Sequence, residues 1–176
     1  MASTLKINNL DTASGSTITI PTGKQVVITD QGGLRVPGTV IQVVENGSTT
    51  QFSQGGTSFA DTNLTCTITP KYSNSKVLVM LKQYFTYRTT TTSERVAFTR
   101  LMRGSTEIGQ QANNVVATTA ADHRRGTFAT MDILDSPNTT SATTYKTQAR
   151  LSDSSADIYY QHDSSRSTMI LMEIAQ

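Results

Sequence analysis

The sequence predicts an all-β protein: a short-stranded N-terminal stalk or anchoring segment, then a jelly-roll-like antiparallel β-sandwich. Three observations predict it. Apolar residues recur in short runs with the period of two that a strand requires, and no stretch shows the helical period. Thr and Ser take the place of charged and apolar residues, and β-branched Thr suits a pleated surface. Clusters of Gly, Pro, Asn, Asp and Ser punctuate the runs as turns do.

The 176 residues suit one domain plus an extension, and the chain divides near Pro37-Gly38. Residues 1–37 hold three apolar runs, Leu5-Lys6-Ile7, Thr17-Ile18-Thr19-Ile20 and Gln25-Val26-Val27-Ile28, separated by polar turns. Strands this short bury little area in one copy. Three copies wound about one axis would bury Ile18, Ile20, Val26 and Ile28 against each other, which argues for oligomerisation and a stalk. The alternative is an arm packed on its own domain.

Residues 38–176 read as the sandwich. Its expected strands are Thr39–Val44, Asn63–Thr69, Lys76–Tyr87, Glu94–Met102, Thr127–Leu134, Thr143–Leu151, Asp157–Gln161 and Thr168–Ile174. Arg103-Gly104-Ser105-Thr106 turns the chain towards Glu107-Ile108 as in a hairpin. Asp135-Ser136-Pro137-Asn138 ends a strand, because Pro removes a ladder donor. In Lys76–Phe85, Val77, Val79, Leu81 and Phe85 share one face, and Leu78, Met80 and Tyr84 the other. The run Met169-Ile170-Leu171-Met172 is likewise apolar on both faces. A strand apolar on both sides is covered on both sides. Leu78, Met80, Ile170, Leu171 and Met172 are therefore the expected subunit interface, the alternative being central strands covered by a loop of the same chain.

Composition narrows the function. Hydrophobic residues make up 36% and charged residues 16% of the chain, and the net charge is +2. Arg124-Arg125 is the densest basic spot, too little for a nucleic-acid partner. An apolar leader and a membrane span are not expected. The lone cysteine, Cys66, lies in phase with Leu64 and Ile68 and reads as a small buried hydrophobe. No catalytic motif is present, and the Asp beside each of His123 and His162 does not make a dyad on a strand, where neighbours face opposite ways. Asp153, Asp157 and Asp163 read as solvated turn residues rather than cation ligands. No enzyme, cofactor or metal is expected. For contact with a host-surface glycan or protein, the candidates are Tyr84, Tyr87 and Arg88, on the way to a Thr-rich loop, with His123 and Arg124. Gln110–Asn114 reads as a further polar loop.

Several motifs, in order along the chain, resemble structural proteins of marine and cyanobacterial tailed phages. They are Ser3-Thr4-Leu5-Lys6-Ile7-Asn8-Asn9-Leu10, Gly33-Leu34-Arg35-Val36-Pro37-Gly38-Thr39-Val40-Ile41-Gln42-Val43, and Ile68-Thr69-Pro70-Lys71-Tyr72-Ser73-Asn74-Ser75-Lys76-Val77-Leu78-Val79. Leu134-Asp135-Ser136-Pro137, Thr144-Tyr145-Lys146-Thr147 and the closing Ser167–Ile174 follow. The resemblance implies a trimeric virion protein, a tail fibre or fibre-like appendage. It implies an N-terminal part bound to other virion proteins, a β-sandwich head and no catalytic residues. A capsid decoration protein, which stabilises the shell without touching a host, and a glycan-binding module are the alternatives.

Overall fold

The computed structural model describes residues 20–29, 33, 35–89, 95–115, 123–154 and 156–176. The side chains of residues 89, 95, 113–115, 123 and 124 fall outside that description. The described residues form ten strands and no α-helix. The strands are β1 (Val40–Ser48), β2 (Phe52–Gln54), β3 (Ala60–Ile68), β4 (Lys76–Thr89) and β5 (Arg95–Arg103). They continue with β6 (Thr106–Val115), β7 (His123–Asp135), β8 (Thr143–Leu151), β9 (Ala156–Tyr160) and β10 (Ser167–Ile174).

Every pairing is antiparallel. One sheet runs β3-β8-β5-β6. In the other, β10 and then β9 lie along the same edge of β4, with β7 on its opposite edge. Outside them, β1 pairs with β10 and β2 with β9. Two of its lanes are thus single strands interrupted halfway. The lane order β1/β2, β10/β9, β4, β7, facing β3, β8, β5, β6, is the eight-lane, two-Greek-key arrangement of a jelly roll. The expected fold class is therefore observed. β2 and β6 add to the expected strands, and Gln110–Asn114 belongs to β6 rather than to a loop.

The two interruptions sit at one height. Tyr160 pairs with Phe52 below them, and Ser167 pairs with Ser48 above them. Between Tyr160 and Ser167 the chain bulges, with Gln161, Asp163 and Ser164 at positive φ. The backbone of Tyr84 is satisfied across the bulge: its carbonyl accepts from the Gln161 N–H at 3.1 Å, and its N–H donates to the Ser167 hydroxyl at 3.0 Å.

Alternation fills the space between the sheets. Above the bulge, Leu64, Ile68, Val77, Val79, Leu81, Leu101, Tyr145, Met169 and Leu171 form one apolar cluster, which includes Cys66. Below it, Phe85, Tyr87, Ala97, Ala149, Leu151, Ile158 and Tyr160 form a second. A polar layer separates them. The Gln83 amide donates to the Thr62 hydroxyl at 2.7 Å, which meets the Thr147 hydroxyl at 2.5 Å, and the Thr99 hydroxyl meets the Tyr160 phenol. All five side chains are buried.

The upper end is fastened by two further polar devices. Glu173 points inward and accepts from the N–H groups of Lys71 and Tyr72 and from the Gln42 amide at 2.6 Å. Arg103 and the Tyr145 hydroxyl both grip Asp135, each at 2.7 Å. The chain enters the sandwich beside these groups: Gly38 and Ala175 share a backbone hydrogen bond at 2.9 Å, and Arg35 stacks on the Tyr72 ring.

Upstream of that entry, the expected strands at Leu5–Ile7 and most of Thr17–Ile20, including Ile18, lie outside the described residues. Gln25–Ile28 forms no strand among the described residues. Ile20, Val26 and Ile28 are exposed, at 46%, 63% and 40%.

Candidate functional site

The two outer faces of the sandwich have opposite chemistry, and each can be read off the strand register. On the β4 sheet, one row across all four lanes is Val43, Met172, Leu78, Leu134. The next row is Glu45, Ile170, Met80, Asp132. Val40 and Ile174 extend the patch to the corner where the chain enters. Val43 and Leu134 are about half exposed, at 54% and 52%. Together these side chains leave uncovered an apolar area on the order of 500 Å², the size of the largest patches on ordinary monomers. A shallow depression of about 300 Å³ between Met80, Lys82, Thr130, Asp132, Thr168 and Ile170 lies within it.

On the β5 sheet, the equivalent row is Asp61, Gln148, Arg100, Gln110. Here the charges answer each other. Arg100 meets Glu107 and Lys146 meets Asp61, both at 3.0 Å. Burial alone pushes the Asp61 carboxyl up, but the Gln148 amide and the Lys146 ammonium outweigh it and hold the group below its ordinary value. The Arg100 guanidinium lies 3.8 Å from the Phe59 ring centre, and Arg150 lies over Phe98 at 4.0 Å. The β4 face carries an ion pair too, Arg166 with Glu45 at 2.6 Å, beside its apolar patch.

The expected interface residues divide accordingly. Leu78, Met80, Ile170 and Met172 lie on the uncovered face. Leu171 does not: it is fully buried in the upper core, so its assignment to an interface is corrected. The neighbours Glu173 and Ser167 face the core with it, and these buried polar residues set the phase of β10.

The expected glycan or receptor contacts also divide. Tyr84 is half-buried on the outer face, edge-on to Phe128 with ring centres 5.3 Å apart. It lies directly over Gly126, where a Cβ would collide with its phenol. Lys82 caps the far side of Phe128 at 4.9 Å. Arg88 follows on the same face, with Arg124 as its cross-strand neighbour and His123 opposite Thr89. Tyr87 is corrected: it faces inward and is buried in the lower core, so it cannot touch a ligand. Among the described residues there is no cluster of three or more metal-ligating side chains, and no helix is long and apolar enough to cross a membrane.

No protein-family model and no curated protein matches the sequence. Solved structures with a similar course include a chain from the structure of infectious bursal disease virus strain Gt. It is 15% identical, covers 78% of this chain and 39% of its own length, and has a TM-score of 0.37. A VP2 subviral particle of the same virus gives 13%, 78%, 38% and 0.36. The latent PorU of Porphyromonas gingivalis gives 9%, 80%, 14% and 0.37. The chain spans about two fifths of the length of the viral chains it matches. Likenesses this loose assign the chain neither a family nor a function.

Proposed function

We propose that this protein is a non-enzymatic structural component of a bacteriophage particle, a homotrimer whose jelly-roll heads meet through the outer face of the β4 sheet. One observation carries the assembly: the apolar row Val43, Met172, Leu78, Leu134 crosses four lanes of a sheet, and no described strand packs over it, Val43 and Leu134 being exposed at its two ends. A standard interface buries about 800 Å² per partner, of which this patch would supply the apolar centre. The charged β5 face is unsuited to that role, because burying paired ions gains little. The exposed Val26 and Ile28, upstream of the same corner, are the second self-associating element, in the stalk. The virion address is supported by the ordered motifs shared in resemblance with tailed-phage structural proteins. Tail fibre or fibre-like appendage is the finer reading, with the N-terminal segment seated on other virion proteins.

Light scattering coupled to gel filtration tests the assembly. The full chain is expected at three times its own mass, and Met172→Asp or Leu78→Asp should release folded monomers, since an unpaired carboxylate in an apolar contact costs several kcal/mol. A monomeric wild-type protein would sink the trimer and favour a decoration protein that assembles only on a capsid.

A further inference from the structure

The charged face holds a groove that the assembly does not use. It has a volume of about 570 Å³ and runs over the middle of the β3-β8-β5-β6 sheet, lined by Arg100, Met102, Ser105, Thr144, Lys146 and Gln148. The wall is built before any ligand arrives. Phe59 fixes the plane of Arg100 from beneath, while its Nε donates to the Gln148 Oε1 at 2.9 Å and its Nη1 to Glu107 at 3.0 Å. Gln148 in turn donates to Asp61 at 2.7 Å, and Asp61 also holds Lys146. The end of the groove is the β5–β6 hairpin. Gly104 stands there at φ +55° and donates to the Thr144 carbonyl at 2.9 Å, which sets Ser105 and Thr144 side by side.

We propose that this groove binds a carboxylate-bearing saccharide, its acid held between Arg100 and Lys146 and its hydroxyls met by Ser105, Thr144 and Gln148. Four features choose that ligand. Arg100 keeps donors beyond those its partners engage, in a fork that matches a carboxylate. Its ion pair with Glu107 and that of Lys146 with Asp61 are solvent-facing, and such pairs are weak enough to yield to a better-placed acid. Met102, 5% exposed, closes the floor, so a ligand meets polar groups, and the exposed Ser105 and Thr144 offer hydroxyls that match those of a sugar. A peptide strand has no place to pair, because β5 and β8 are interior strands whose ladders are already complete.

Isothermal titration calorimetry on the full chain at low salt decides it. Trigalacturonate and sialyllactose are the acidic probes, maltotriose the neutral one and a short polyaspartate the peptide. At least one acidic sugar should bind saturably and maltotriose should not. Lys146→Gln and Arg100→Lys should each weaken binding by about tenfold, one lost charge-assisted contact. Lys24→Gln, in the segment before the sandwich, should change nothing. Thermal melts confirm that each variant is folded, and either groove variant alone suffices. The proposal fails if neither acidic sugar saturates, if the groove variants bind like wild type, or if polyaspartate binds as tightly as the sugars.

Discussion

Glu173 shows how much a single inward-facing side chain decides. Burial pushes its carboxyl up, yet the Lys71 N–H, the Gln42 amide and the Tyr72 N–H together hold it below its ordinary value of 4.5. A depressed carboxylate stabilises the fold fully above the unfolded-state value, and that stabilisation is lost as pH falls through the folded-state value. The melting temperature of Glu173→Gln should therefore lie below wild type by a constant margin above about pH 5, with the gap closing below about pH 4. Thr62 makes a second case. It accepts from Gln83 and meets Thr147 in the polar layer, so Thr62→Val strands two buried groups and should cost about 1–3 kcal/mol in urea denaturation. Thr62→Ser, which keeps the hydroxyl, should recover most of that.

Among the elements, β4 and β10 contrast in what their sequences disclose. The faces of β4 follow from Val77, Val79 and Leu81 against Leu78 and Met80, and the structure keeps that division. β10 is apolar at Met169, Ile170, Leu171 and Met172 alike, so alternation gives no phase. Its phase is set by Ser167 and Glu173, which face the core because partners wait there, the reverse of what their polarity suggests. Leu171→Asp should accordingly unfold the sandwich, at roughly 4 kcal/mol or more, whereas Met172→Asp should leave its circular dichroism and melting curve near wild type at low concentration. Tyr87 was hidden for a similar reason: an aromatic beside an Arg near a loop reads as a contact, yet it shares the inward phase of Phe85. β6 was hidden by its polar composition, which an edge strand tolerates. The groove of Arg100 and Lys146 left no local motif at all, since it is made by β5 and β8, which meet only in the fold.

At the scale of the whole molecule, the sandwich is a two-faced plate, one side paired and charged, the other apolar and bare. The fold class was legible because it depends on period and turns. The direction in which the plate faces its neighbours was legible only in part, because it depends on register. The interrupted lanes carry a further consequence, for engineering. Asp163 and Ser164 are exposed, stand at positive φ within the bulge and belong to neither apolar cluster. The chain has already left the ladder there and returns to it at Ser167. Extra residues spliced between Ser164 and Ser165 lengthen an existing detour, a closure that costs only about 0.6 kcal/mol per doubling of its length. A peptide tag at that point should be displayed without loss of folding, while the same tag placed in the middle of β4 should abolish it.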